Sequence, residues 1–399
     1  MLAGVTGLVE SARGTATPVR WYQCGGTGSP GPWLDRAGHG RMMLMTTVPA
    51  APAPTSFDGQ PGLLDTRGRA LRDLRISVTD RCNFRCTYCM PKEVFGRDYA
   101  FLPREELLAF EEIERLATVF VGLGVQKLRI TGGEPLVRRD LPRLIEILAG
   151  IRRPDGGHVD LTLTTNGSAL RALAGPLKAA GLDRITISLD SLDDTVFRAM
   201  NGVDFPVSRV LDGVAAAREA GLDPIKINVV AKRGMNEASI VPMAGWARDE
   251  GLILRFIEYM DVGHTNGWRL DDVVPAAEIV ARIGAQWPLE AADPSYRGEV
   301  AGRWRYRDGM GEIGVISSVT QPFCGNCTRA RLSAEGTLYT CLFGAAGHPL
   351  RELVRANPDD ALLRTAIERI WTVRDDRYSE LRSRASADLP RIEMFAIGG

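Results

Sequence analysis

Cys82-Asn83-Phe84-Arg85-Cys86-Thr87-Tyr88-Cys89 follows a short β-rich run and precedes a long segment of helical spacing. The pattern CxxxCxxC places three thiols in one loop. Three thiolates can hold three irons of a [4Fe-4S] cube and leave the fourth iron without a protein ligand. A zinc clip is the alternative, but structural zinc normally takes four protein ligands, and no His or fourth Cys lies nearby in the sequence. A second group, Cys324-Gly325-Asn326-Cys327 followed by Cys341, is again one ligand short of a closed four-cysteine site. There a zinc site completed by His348 stays open beside the cluster reading.

Outward from the first loop, residues from Leu71 to about Met260 alternate short β-rich runs with longer helical segments, the pattern of parallel βα units. Six strands are expected: Leu74–Thr79, 127–131, Leu161–Thr165, 184–189, Ile225–Val230 and 253–258. Leu107, Phe110, Ile113, Ala117 and Phe120 mark a helix between the first two, Asp140 is the expected N-cap of the next, and Gly181 and Gly221 are expected helix stops. Strands of a parallel α/β sheet are usually apolar on both faces, yet these alternate. One face carries Leu74, Ile76, Leu128, Ile130, Leu161 and Leu163; the other carries Arg75, Lys127, Arg129, Thr164, Lys226 and Arg255. A polar face inside a curved barrel must meet water or a ligand, because unpaired buried polar groups are costly. Five cations on that face point to a polyanion.

Beyond Met260 the spacing predicts a helix near Val274–Ile283, strands at Arg303–Tyr306 and Ile313–Val319, and helical structure from about His348 to Arg382. Residues 1–62 are rich in Gly, Ala, Pro, Thr and Ser without periodicity and read as a disordered extension. Cys24 lies there without a nearby Cys or His partner and has no assigned role. The expected division is 1–62 extension, 63–262 barrel, and 263–399 auxiliary-cluster domain with its tail.

Composition narrows the function classes. The chain has 399 residues, 45% of them apolar and 25% charged, with 49 basic against 49 acidic residues. Net neutrality gives no reason to expect nucleic acid as a partner, so any anion site is local. No run of eighteen apolar residues and no basic segment leading into an apolar signal core occurs, so no membrane association is expected and the cytoplasm is the expected location. Seven cysteines, odd in number and mostly grouped, fit metal ligation better than a disulfide framework. Neither a GxxxxGK[ST] loop nor a GxGxxG fingerprint is present.

Thr131-Gly132-Gly133-Glu134-Pro135 stands one βα unit after CxxxCxxC. With both motifs the chain resembles the radical S-adenosylmethionine (SAM) superfamily. That resemblance implies an α/β fold, a partial (βα)6 TIM-like barrel, in which the open iron binds SAM and an electron releases a 5′-deoxyadenosyl radical. Tyr88, Gly133, Ser188 and Met260 match its SAM-contacting positions. From about Leu71 to Gly399 the sequence further resembles the GTP 3′,8-cyclase family of molybdenum-cofactor biosynthesis. This implies a C-terminal α+β extension carrying a second [4Fe-4S] cluster, held by Cys324, Cys327 and Cys341 as Cys82, Cys86 and Cys89 hold the first. The second cluster would bind guanine. Arg329 and Arg331 match the family's Arg-x-Arg, and Arg75, Lys127, Arg129, Thr164, Lys226 and Arg255 match positions around GTP. Gly398 and Gly399 match a functional Gly-Gly end that orients SAM or an arginine near GTP.

The implied reaction removes the ribose 3′ hydrogen of GTP and joins that carbon to guanine C8, giving (8S)-3′,8-cyclo-7,8-dihydroguanosine 5′-triphosphate. Implied partners are a downstream cyclic pyranopterin monophosphate synthase and a reduced flavodoxin or ferredoxin-type electron donor; a homodimer is compatible with the reading. Two rivals remain: a radical-SAM peptide maturase with an auxiliary-cluster domain, which usually carries more cysteines, and a noncatalytic metal-stabilised binding protein.

Overall fold

The computed structural model describes residues 62–382 and 391–398, and the backbone of an N-terminal antiparallel pair, β1 (Thr6–Val9) and β2 (Thr17–Arg20). Cys24, nearly all of the expected extension, and Gly399 lie outside the described residues.

Six parallel strands follow in chain order: β3 (Asp73–Ser77), β4 (Lys127–Thr131), β5 (Asp160–Thr165), β6 (Arg184–Ser188), β7 (Lys226–Ala231) and β8 (Ile253–Glu258). Helices α1 (Phe110–Gly122), α2 (Leu141–Ala149), α3 (Leu170–Ala179), α4 (Asp194–Asn201), α5 (Val207–Glu219) and α6 (Ile240–Asp249) connect them. The apolar strand face is the core: Leu74, Ile76, Leu128, Ile130, Leu163, Ile187, Ile227, Leu254 and Phe256 are fully buried. In α1 the residues Ile113, Leu116, Ala117 and Phe120 complete that core, which is why the three-and-four spacing forms a helix here. Its start is secured by Glu112, whose carboxylate accepts from the Ala109 amide at 2.7 Å. Gly181 and Gly221 follow α3 and α5 at φ 100° and 74°, as expected of helix stops. Asp140 does precede α2, but at φ 59° and without a side-chain cap bond. Its left-handed backbone is incompatible with the usual extended N-cap geometry.

The C-terminal part enters the same sheet. After α7 (Ala276–Gln286) come β9 (Leu289–Ala292), β10 (Gly302–Tyr306) and β11 (Glu312–Ile316), then β12 (Arg329–Leu332), β13 (Thr337–Tyr339) and β14 (His348–Pro349). β11 pairs in parallel with β8, and β12 in parallel with β3, so the parallel set grows from six strands to the order β12-β3-β4-β5-β6-β7-β8-β11. Among the described residues β11 and β12 share no ladder, leaving the barrel laterally incomplete. His348, expected in a helix, is exposed on β14 instead. The chain continues through α8 (Arg351–Ala356), α9 (Asp360–Thr372), α10 (Tyr378–Leu381) and α11 (Met394–Ile397). Among the described residues no helix is long and apolar enough to cross a membrane.

Candidate active site

The loop leaving the C-terminal end of β3 carries Cys82, Cys86 and Cys89. Phe84, between the first two, is buried against Phe197 and Phe205 with ring centroids 6.3 and 5.2 Å away, which pins the loop to α4 and the turn after it. The Cys82 sulfur accepts from the Phe84 amide at 3.4 Å, and the Cys89 amide donates to the Cys86 carbonyl at 2.9 Å. Burial pushes all three thiols up, Cys82 to about 12 with Glu134 adding to the rise. Thiols in such surroundings ionise when a cationic centre binds them, and amide–sulfur bonds suit a cluster ligand. The loop therefore fits an iron–sulfur cluster. Among the described residues no three His, Cys, Asp or Glu side chains converge on a single-ion site.

Next to this loop, the turn after β4 needs its glycines. A Cβ on Gly132, at φ 150°, would stand 2.6 Å from the Thr79 carbonyl, and one on Gly133 would run into the Arg81 carbonyl. Glu134, 1% exposed, accepts from the Leu136 amide, the Thr165 hydroxyl and the Asn166 amide at 3.0, 2.6 and 2.7 Å. It braces the β4 and β5 exits against each other, while burial raises its carboxyl to about 7. Tyr88 donates its hydroxyl proton to Asp190 Oδ2 at 2.8 Å, just beyond half-buried Ser188 at the end of β6. Glu134 is legible in the sequence only as part of its motif and Asp190 not at all, because Thr165 and Asn166 for the one and Tyr88 and Val230 for the other come from other βα units.

The polar strand faces line one cavity that is partly open to solvent. Arg75, Arg129, Thr164, Arg255, Met260, Arg329 and Arg331 line it, together with all three cysteines of the second group. Strand register explains the convergence: Arg331 lies opposite Arg75, and Arg75 opposite Arg129, on three adjacent parallel strands. Arg129 donates to Thr164 and Thr186 at 3.0 and 3.3 Å. Arg329 reaches the Cys327 sulfur at 3.4 Å; burial alone would raise that thiol, yet Arg329 and Arg374 bring it down to about 6. Burial, with like charge nearby, lowers Arg75 and takes Arg331 to about 9. The Asn228 Oδ1, Ser318 Oγ and Arg329 Nε atoms facing this cavity are buried without a hydrogen-bond partner among the described residues. The crowded arginines and the unpartnered Arg329 Nε donor fit a polyanionic ligand.

Two expected contacts sit elsewhere. Lys127 is the first residue of β4, one layer below, where Asp73 and Asp160 hold its ammonium at 3.4 and 3.6 Å. Lys226, opposite Thr186 on β7, lines neither this cavity nor the smaller space bounded by Asp73, Arg75, Lys127 and Arg129. Its ammonium is depressed to about 7 by burial, then by Arg255, Arg184 and Arg129. Asn228, Ser318, Phe323 and Phe343 also line the cavity. Of these only Asn228 carried a sequence signal, its place on the polar face of a strand.

The chain's own tail closes the C-terminal end. Phe395 packs edge-on to Phe95 with centroids 5.0 Å apart, and Ile397 is fully buried. Gly398 adopts φ 63°, and its carbonyl accepts from Arg331 and, at 3.2 Å, from Arg75. A Cβ at Gly398 would collide with the Thr131 side chain. Asp261, next to Met260, holds the approach to this tail through Tyr378 at 2.9 Å, Arg382 at 3.0 Å and Arg391 at 3.3 Å.

Residues 76–247 match the Radical SAM superfamily, and residues 252–380 match Molybdenum Cofactor Synthesis C. A GTP 3′,8-cyclase of Acidothermus cellulolyticus is 59% identical over 323 residues, spanning 80% of this chain and 88% of its own. This chain belongs to the GTP 3′,8-cyclase family. Relatives of the same name from Xanthomonas axonopodis pv. citri and Staphylococcus carnosus are 50% and 46% identical, each aligned over 84% of this chain and at least 98% of its own. Among solved structures, Streptococcus suis SuiB covers 82% of this chain and 78% of its own at TM-score 0.51 and 16% identity. SuiB bound to S-adenosylmethionine gives TM-score 0.50 at 17% identity, covering 74% and 67%. These likenesses show the fold alone. As a radical SAM enzyme of the cyclase family, the protein works with SAM and an iron–sulfur cluster.

Proposed function

We propose that the protein converts GTP to (8S)-3′,8-cyclo-7,8-dihydroguanosine 5′-triphosphate in the cytoplasm, the first step of molybdenum-cofactor biosynthesis. The observation that carries this reading is one cavity lined both by Cys324, Cys327 and Cys341 and by Arg75, Arg129, Arg255, Arg329 and Arg331. Cys82, Cys86 and Cys89 would hold the SAM-binding cluster, and Cys324, Cys327 and Cys341 would hold an auxiliary [4Fe-4S] cluster on the guanine side. When bound, SAM and its cluster supply a radical able to remove a ribose hydrogen.

The chain's residues orient and protect. Tyr88, Gly133, Ser188 and Met260 receive SAM at the C-terminal strand ends. Arg75, Arg129, Thr164 and Arg255 hold ribose and phosphates, Lys127 the far phosphate end, and Lys226 adds positive charge near Arg255 and Arg129, while Arg329 and Arg331 serve the guanine side. Charge-assisted bonds to phosphate oxygens in a buried site fix the sugar relative to SAM. The docked tail, through the Gly398 carbonyl, keeps Arg331 and Arg75 in register and excludes water. Residues 63–262 thus form the SAM side and 263–399 the guanine side. A reduced flavodoxin or ferredoxin-type protein delivers the electron, a pyranopterin synthase takes the product, and a homodimer is the proposed assembly.

The test is anaerobic reaction of the reconstituted enzyme with GTP or ATP in the presence of SAM and reductant. GTP should yield a cyclised triphosphate of the same mass as GTP, because the hydrogen atom lost from C3′ to 5′-deoxyadenosine is balanced by the electron and proton gained at the guanine; an enzyme that cleaves SAM but leaves GTP intact contradicts the assignment.

A further inference from the structure

The segment between β9 and β10, residues 293–301, crosses the N-terminal end of the barrel, opposite the cluster loop and the tail. Contacts to three separate parts of the sheet fix it there. The Tyr296 ring lies over the Lys127 ammonium, 4.0 Å from its centroid, at the start of β4. Glu299, its side chain 4% exposed, pairs with Arg255 of β8 at 3.3 Å, and its other oxygen accepts from the Ser295 amide at 2.7 Å. Gly298, at φ 90°, passes so near the start of β12 that a Cβ would stand 2.7 Å from the Thr328 side chain. The segment thereby spans the side where β11 and β12 share no ladder.

Behind it lies a chamber walled by Asp73, Arg75, Lys127, Arg129, Arg255 and Arg329, which shares its arginines with the main cavity. On the far side of the segment is an outer groove containing Arg72, Arg153 and Arg297. Asp73, Lys127 and Tyr296 line both spaces and so form the wall between them. The chamber carries five cations against the single carboxylate of Asp73, and Glu299, paired with Arg255, sets a second carboxylate beside it.

We infer that Tyr296 and Glu299 are specificity-determining residues that set the length of the phosphate chain the enzyme accepts. The inference rests on reading the main cavity as the GTP site. With guanine at the second cysteine group, the terminal phosphate falls in the chamber, where Arg255, Arg129 and Lys127 meet it. Glu299 occupies one edge of Arg255 and repels a chain that extends further. The Tyr296 ring covers one side of the Lys127 ammonium and, as part of the wall toward the outer groove, blocks passage of a fourth phosphate. A diphosphate stops short of Lys127 and forgoes that contact.

The test compares anaerobic equilibrium binding of GMP, GDP, GTP and guanosine 5′-tetraphosphate to the reconstituted wild-type enzyme and to Tyr296→Ala, Tyr296→Phe and Glu299→Ala. Wild type should bind GTP roughly tenfold more tightly than GDP or the tetraphosphate, the equivalent of one charge-assisted contact. Tyr296→Ala and Glu299→Ala should bind the tetraphosphate as tightly as GTP, whereas Tyr296→Phe, which keeps the ring on Lys127, should retain discrimination. Unchanged ratios in both alanine variants with iron content preserved overturn the inference, as does a wild-type enzyme indifferent to chain length. A wild-type enzyme that binds none of the four overturns the GTP-site reading itself.

Discussion

Gly398→Ala is the sharpest single probe of the tail. At φ 63° an alanine pays about 1–2 kcal/mol for the left-handed backbone. Its methyl also meets Thr131, with Cγ2 the nearest atom, an overpacking cost of about 1–3 kcal/mol. Together these come to about 2–5 kcal/mol. The tail is anchored by Phe395 and Ile397, whose burial contributes roughly 1.5–3 kcal/mol each. The penalty is comparable to the anchoring, so the carbonyl leaves Arg331 and Arg75 for much of the time. Turnover should fall at least about tenfold, one decade per 1.4 kcal/mol, while iron content and thermal stability stay near wild type. Hydrogen exchange at residues 391–398 should rise in parallel. Thr131→Ser, which removes the colliding methyl, should restore part of the loss in the double variant but not the backbone share. Wild-type turnover and exchange in Gly398→Ala, or a double variant no better than the single one, would refute the reasoning.

Replacing Cys324, Cys327 and Cys341 together by Ala should halve the iron and sulfide content and leave SAM cleavage measurable; unchanged iron contradicts a second cluster. Lys226, depressed to about 7 by burial and neighbouring arginines, should be protonated when a polyanion arrives, so GTP binding should take up a proton near pH 7.5 and weaken as pH rises. Calorimetry in buffers of different ionisation enthalpy measures the uptake, which Lys226→Met should abolish. For stability the sign is opposite: the folded pKa lies below the unfolded 10.5, so this residue's penalty is full below pH 7 and is relieved as pH rises toward 10.5. Glu134→Ala leaves three donors without their acceptor and should lower stability by about 1–3 kcal/mol in thermal or denaturant melts. Removing Gly398 and Gly399 should spare both clusters but cut cyclisation, with partial rescue by a peptide of residues 395–399.

The barrel was legible because its strands alternate. Leu74, Ile76, Leu128 and Ile130 face the helices, and Arg75 and Arg129 face inward, so a period of two identified the strands and the face that must meet a ligand. Lys127 belongs to that face as well, but Asp73 and Asp160, which hold it, are the first residues of β3 and β5 and lie one residue before the strand starts expected from apolar patterning. What alternation could not convey was pairing between distant segments. β12 is four residues long and lies more than 250 positions from Arg75, yet its register sets Arg331 beside that residue. The tail turns through α11, because Phe395 and Ile397 on one short helix reach separate buried positions. Nothing local in residues 293–301 marks them as a barrel cap, since the groups that place them, Lys127, Arg255 and Thr328, belong to distant segments.

The central claim is that one cavity holds GTP for hydrogen abstraction at its ribose, and GTP deuterated at C3′ tests it most directly. In a single anaerobic turnover with SAM, the deuterium should appear in 5′-deoxyadenosine as the cyclised triphosphate forms, and Arg129→Ala should diminish both together. Deoxyadenosine free of deuterium, formed while labelled GTP is recovered unchanged, would contradict the account.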